Sequence, residues 1–393
     1  MRTKDEFKFN DEFFLDPEIR RRGQAAFPDI WFAIYLPRLS SEFVIRDEIT
    51  KKIKARFQIW GFGTLAAAVA ALSLAALEPT LLEPAEANGF VPEFVVQLIG
   101  VAAAGLGVTS VLMGLFGMGL SNRKRNWLRT RLLCERIRQW RWQYFCANVP
   151  RIVEASSNED AKADYALQWE IDTLAFISDF ERDIDQRLND ALGALPGLSP
   201  HRSGAMWVGK DIADRATGDQ IVRALDAADS TKAPAVEQIL DAYRNVRIGA
   251  QLRYARYLAR DTGPFRTHPR AQRNWLHRRG ETIVILIFTL HILVILAIFL
   301  VWVPHWTAKV VNVLAVILAL AALGFRAVED GLRPSEHLGR ITGYLAEVRS
   351  IGEAFGDAET SARQRDLMIA LEKASYNEMV DFLQAGNRSR YVM

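Results

Sequence analysis

The sequence predicts an all-α membrane protein, with four transmembrane helices in two hairpins and a cytosolic helical domain. Four stretches, 57–77, 94–120, 283–303 and 310–325, contain no Asp, Glu, Lys or Arg. Three of them reach the ~20 residues that a hydrocarbon core requires, and the last spans only with Trp306 and the Lys309 stem in the interface. Basic residues gather at one end of these stretches: Lys51, Lys52, Lys54 and Arg56 before the first, Arg123, Lys124, Arg125, Arg129 and Arg131 after the second, Arg270, Arg273, Arg278 and Arg279 before the third. The intervening turn carries Glu78, Glu83, Glu86 and Glu93 and no Lys or Arg. Because Lys and Arg are retained on the cytosolic side, the turn faces outward and both termini face the cytosol.

Residues 1–56 form a cytosolic and interfacial N-terminal segment. They are too charged for the apolar core of a signal peptide, so the first span is expected to serve as the insertion signal. After Pro28, residues 31–44 are rich in aromatic and apolar side chains and read as an interfacial amphipathic segment. The first hairpin covers 57–120 and leads into a cytosolic helical insert, 121–280.

The insert begins with a basic, aromatic helix, 121–149, which holds Trp127, Trp140, Trp142 and Tyr144 and one acid, Glu135. Its charge has three readings: contact with lipid headgroups, pairing with the acidic helix that follows, or a pocket for an anionic nucleotide. That acidic stretch, 158–192, repeats Ile171, Leu174, Ile177, Phe180, Ile184 and Leu188 at helical spacing, which predicts its buried face. Asp179 with Asp183, and Glu181 with Asp185, are spaced to bind a cation or to form a solvated or Arg-paired face. Gly and Pro make 193–209 a loop. A helix follows Ser230 and Thr231, with Pro234 in its first turn and a seam of Val236, Leu240, Tyr243, Arg247, Ala250, Tyr254 and Tyr257. The second hairpin, 281–325, precedes C-terminal cytosolic helices within 326–393, expected near 335–355 and 361–385. The tetrapeptide Arg-Asn-Trp-Leu at 125–128 and 273–276 suggests interfacial anchors at Trp127 and Trp275.

Inside the membrane stretches, Gly100, Ala103, Gly107, Ser110, Gly114, Gly117 and Ser121 recur every three or four residues. Such a stripe of small side chains lets helix backbones approach closely, against another span, against a second copy, or around a pore. The segment 114–121 resembles a phosphate-binding loop but has Leu120 in place of the lysine, so it is rejected as one. His291 is the ionisable side chain deepest in any span. At ~1.5 Å per residue it lies ~12 Å from the cytosolic end, near the depth of Thr64, Thr109 and Ser110. These residues form a candidate polar layer, as packing groups or as part of a conducting path.

Other chemistry is absent from the pattern. A formal charge of +3 is too small to argue for nucleic acid. Cys134 and Cys146 have no partner at metal spacing and read as reduced structural thiols. The scattered histidines belong to no catalytic motif, so neither an enzyme, a metal nor a cofactor is expected.

Three segments resemble the SLATT class of bacterial two-span effectors, named for association with SMODS nucleotidyltransferases and SLOG sensors. They are YRNVRIGAQLRYARYLARD at 243–261, the hairpin 281–325, and GFRAVEDGLRPSEHLGRITGYLAEVRS at 324–350. A looser echo covers the first hairpin and RTRLLCERIRQWRWQYF at 129–145. Four-span relatives in the same conflict systems match equally well. The resemblance implies an oligomeric effector of the bacterial inner membrane that permeabilises the bilayer in an anti-phage system. It would answer to a nucleotide signal or a soluble sensor protein. A recognisable sensor domain is missing, which leaves a competing expectation: a non-conducting scaffold or sensor that recruits a soluble partner through its cytosolic helices.

Overall fold

The computed structural model describes residues 10–79, 92–118, 120–193, 205–227, 233–261, 263, 265, 268–300 and 305–389. The elements among them are helical. They divide into two compact units, a first formed by 1–51, 127–260 and 336–387, and a second formed by 52–126, 261–335 and 388–393. Three helices are long and apolar enough to cross a membrane, with their apolar windows in Pro37–Leu77, Glu93–Met113 and Val310–Gly356. The stretch 283–303 begins inside the helix Pro269–Leu300, and its last residues lie outside those described.

In chain order the helices are α1 (Pro17–Ala26), α2 (Pro37–Leu77), α3 (Glu93–Met118), α4 (Leu120–Ala147), α5 (Val149–Ala155), α6 (Glu159–Arg182) and α7 (Ile184–Gly193). Then come α8 (Lys210–Thr217), α9 (Asp219–Asp226), α10 (Ala233–Ala242), α11 (Gly249–Ala259), α12 (Pro269–Leu300), α13 (His305–Leu332), α14 (Pro334–Gly356) and α15 (Ser361–Arg388). Local chemistry sets several boundaries. The Asp16 carboxylate accepts the Glu18 amide at 2.8 Å ahead of Pro17, and the Asn158 side chain accepts the amides of Asp160 and Ala161 to open α6, so each cap satisfies helix-start donors. Arg333, at a left-handed φ of 50°, ends α13, and Pro334 starts α14. The C-terminal helices expected near 335–355 and 361–385 are α14 and α15.

The first unit has an aromatic core around α4. Phe176 of α6 stacks on Trp140 at 5.3 Å with the rings 4° apart, and Trp169 packs against the same indole. This stack fixes the face that α6 buries. Tyr165, Trp169, Thr173, Phe176, Ile177 and Phe180 point inward, whereas Ile171 and Leu174 are 51% and 40% exposed. The expected apolar face was therefore right from Ile177 onward and rotated before it.

Three other expectations are corrected. Segment 31–44 is not interfacial: Ile34, Leu39 and Phe43 are buried by protein, with Phe43 stacked on Phe13 at 4.1 Å. Trp127 is no interfacial anchor either. It is 2% exposed and packs on Phe382 and Gly386, whereas Trp275 is 42% exposed. The seam of α10 and α11 shifts because a π-helical segment, Tyr243–Ile248, joins them. Its wider turn advances the register, so Ala235, Ile239, Ala242, Tyr243, Arg247, Ile248, Gln251 and Ala255 are the buried positions.

From Arg131 onward, arginines of α4 are met within the protein. Arg131, Arg138 and Arg141 are buried or nearly so and do not face lipid headgroups. Arg138 pairs with Glu12 at 2.5 Å and with Glu135 at 2.7 Å, and donates to Asn10 Oδ1. Arg131 pairs with Glu135 and reaches Asp47 at 3.8 Å. Arg141 donates to the carbonyls of Glu12 and Ile34. Pairing with the acidic stretch includes Arg129 with Asp185 at 3.3 Å and the Tyr144 hydroxyl with Asp172 at 3.0 Å. The acids of that stretch meet arginines: Asp179 pairs with Arg182, Glu181 with Arg46, and Asp183 with Arg182 and Arg187.

At the centre of the unit, Arg247 is fully buried and forms a two-pronged pair with Glu372, at 2.8 and 2.9 Å. Tyr243, one turn earlier in the π segment, donates to the same carboxylate at 3.2 Å. Glu12 lies 3.5 Å from the third guanidinium nitrogen. Burial alone would weaken the Arg247 cation, but Glu372 and Glu12 outweigh it and hold the guanidinium above its ordinary pKa.

Burial likewise favours the neutral form of Glu135, yet Arg131 and Arg138 on either side hold its carboxyl below the usual carboxylate value. A carboxyl depressed in the folded state stabilises the fold above its unfolded pKa, near ~4.3, and this contribution is lost as pH falls. Glu135→Gln should therefore flatten the fall in melting temperature between about pH 5 and 3. Equal acid-side slopes in the two proteins would contradict this coupling.

Candidate functional site

The candidate polar layer lies in the second unit, whose helices expose large apolar side chains along their length. Ile59, Leu72, Val101, Val111, Ile285, Phe288, Leu296 and Leu323 are all exposed. The apolar windows of the candidate spans are only 6%, 11% and 11% buried, far more exposed apolar surface than a water-facing protein carries.

The apolar half of α2 packs antiparallel to α3. A Cβ added to Gly63 would sit 3.0 Å from the Met113 methyl, and the Ser110 hydroxyl donates to the Thr64 carbonyl at 3.2 Å. The Thr64 hydroxyl donates back to Trp60 at 2.8 Å. Farther along, the Glu78 carboxylate lies over Gly100, where a Cβ would meet it at 2.6 Å. Gly324 of α13 meets Val69 of α2 in the same way, at 3.2 Å. Beside Gly324, Phe325 meets Trp275 edge-on, and Phe265 packs on the same indole.

Of the residues proposed for the layer, the structure brings Thr64 and Ser110 together and leaves the other two apart. Thr109 is exposed and donates to the Gly105 carbonyl of its own helix at 2.7 Å. His291 is exposed on α12, with Nδ1 2.8 Å from the Ile287 carbonyl. A carbonyl only accepts, so Nδ1 carries a proton. No hydrogen bond among the described residues joins His291 to Thr64, Thr109 or Ser110.

The small-residue stripe divides in the same manner. Ser110 contacts α2, Gly100 meets Glu78 just past its end, and Ala103 is buried. A Cβ at Gly107 would meet nothing within 4 Å, so this part of the stripe makes no tight contact among the described residues. The side chains at Gly114, Gly117 and Ser121 lie outside those described. Gly63, which closes the contact with Met113, escaped the sequence reading, although Gly63, Ala66, Ala70 and Ser73 recur every three or four residues along α2.

Among the basic residues flanking the spans, Lys52, Arg56, Arg123, Arg125 and Arg278 are exposed. Lys54 is half-buried. Lys51 is exposed and pairs with Asp47 at 2.7 Å, and Arg279 lies over the Trp275 ring. Lys124 is half-buried and donates to the Ser389 carbonyl at 2.8 Å, and burial lowers its pKa. In the first unit Cys134 and Cys146 are buried and free. Burial pushes the Cys134 thiol up to about 11, so it is protonated at neutral pH. No cluster of His, Cys, Asp and Glu suited to a metal occurs among the described residues.

No protein-family model, curated protein or solved structure matches the chain.

The contrast between the glycines gives a direct test. Gly63→Leu should destabilise the protein by about 1–3 kcal/mol through overpacking against Met113, whereas Gly107→Leu should leave its melting temperature unchanged. Equal losses in the two variants would contradict the packing described.

Proposed function

We propose that this chain inserts as two membrane hairpins and acts as an inducible effector that permeabilises the membrane. The resemblance to SLATT effectors supplies the biological setting, a bacterial inner membrane and a conflict system. On this reading both termini are cytosolic. Support for that orientation comes from Lys52, Arg56, Arg123, Arg125 and Arg278, which are exposed beside the apolar helices.

The observation that carries the proposal is His291. An imidazole on the exposed face of a helix amid Phe288, Ile292 and Leu293 lies in what would be hydrocarbon. A polar group in that position is stabilised when another surface or a water-lined path covers it. Exposed Thr109 and the open surface at Gly107 provide further small and polar surface. Association of several copies would bury these groups together and line a path that a single chain lacks, and no catalysis is required.

A second reading has its own observation. Leu167, Ile171 and Leu174 form an exposed apolar stripe on α6 of the first unit, which suits a non-conducting scaffold that recruits a soluble partner. Regulated expression with a potential-sensitive dye separates the two. The effector reading expects wild-type protein to dissipate the membrane potential, and His291→Leu to weaken the effect several-fold with insertion unchanged. A triggered and correctly inserted wild type that leaves the potential intact would defeat it and favour the scaffold.

A further inference from the structure

The first unit contains a cleft of about 610 Å³ between α4, α6, α7, α8 and α15. Its size falls in the range of small-molecule sites. Arg136 lines it and is 3% exposed. Unlike Arg138 and Arg247, this guanidinium has no carboxylate partner among the described residues. Its Nη1 donates to Gln139 Oε1 at 2.6 Å and to the Met206 carbonyl at 2.9 Å, and Nε and Nη2 have no acceptor there. One face rests on the Tyr376 ring at 5.2 Å. Burial lowers its pKa to about 10, so at neutral pH it still carries its charge.

Two more cations line the cleft. Arg187 leans on Phe180 and has a long contact, 3.9 Å, with Asp183. Lys210 is exposed at the first residue of α8, where Gly209 brings no side chain to cap the helix amides. The acids at the cleft are Asp179, paired with Arg182, and Asp190. The wall also holds Trp207, half-buried and without a ring partner among the described residues. The backbone on either side of this indole is held in place. The Met206 carbonyl accepts from Gln143 as well as Arg136, and the Val208 amide donates to Gln143 Oε1 at 3.0 Å.

We propose that this cleft binds a small phosphorylated ligand bearing a flat ring, with the phosphate on Arg136, Arg187 and Lys210 and the ring on Trp207. A planar guanidinium with open donors suits phosphate oxygens, and a free indole face suits a stacked ring. The site lies among residues of the first unit alone and does not depend on whether the chain conducts ions.

Calorimetry on the full-length protein in detergent, with AMP as the probe and adenosine and inorganic phosphate as controls, tests the assignment. AMP is expected to bind at least about tenfold more tightly than either control, a difference of ~1.4 kcal/mol. Arg136→Met and Trp207→Ala should each weaken AMP binding about tenfold or more. Arg136→Met also removes two buried hydrogen bonds, to Gln139 and the Met206 carbonyl; should that variant fail to fold, Lys210→Ala at the exposed rim takes its place. AMP binding no tighter than adenosine, or binding undiminished in Trp207→Ala and in the cation variant, would overturn the proposal.

Discussion

Burying the arginines of α4 is the constraint on which the first unit depends. A guanidinium removed from water costs several kcal/mol unless carboxylates or carbonyls replace the lost hydration. The replacements come from distant parts of the chain: Glu12 and Asp47 from the N-terminal segment, Glu135 from α4 itself, and the Ile34 carbonyl from the turn before α2. Arg247 and Glu372 extend the same network, because Glu12 stands between Arg138 and Arg247. The N-terminal segment is thereby tied to α4, and α15 to the π segment, by charge as well as by apolar burial. The π segment fits this role. Its wider turn places Tyr243 and Arg247 on the one carboxylate of Glu372.

The second unit is governed by a different solvent. Its helices leave most of their apolar surface uncovered, and their hydroxyls are satisfied by backbone carbonyls, Thr64 by Trp60, Thr109 by Gly105 and Ser110 by Thr64. That economy suits hydrocarbon surroundings, where an unsatisfied donor is expensive. His291 departs from it as an exposed imidazole with one ring nitrogen on the Ile287 carbonyl.

Helices and apolar stretches were legible because they rest on local signals: periodicity, caps, and the absence of charge over a span length. What the sequence concealed was partner choice. Arg-Asn-Trp-Leu occurs twice, yet Trp127 is enclosed by α15 while Trp275 stays half open, and nothing within the tetrapeptide distinguishes them. Likewise, a run of arginines after a membrane span reads as headgroup contact until Glu12 is known to fold back onto it from more than a hundred residues away. The α6 face was misplaced upstream of Ile177 because the stack on Trp140 selects Phe176 and Trp169 over Ile171 and Leu174. The cleft at Arg136 was legible only as one of three readings of a basic helix, since its walls come from α6, α7, α8 and α15.

The compensation of buried arginine charge is tested most directly by a double-mutant cycle on Arg247→Met and Glu372→Leu, read as unfolding free energies of the full-length protein. Each single change strands one buried charge and should cost about 3–5 kcal/mol. The double variant removes both charges and should lose no more than either single, giving a coupling of at least ~2 kcal/mol. Losses that simply add would show that the two side chains act independently, and would contradict the account.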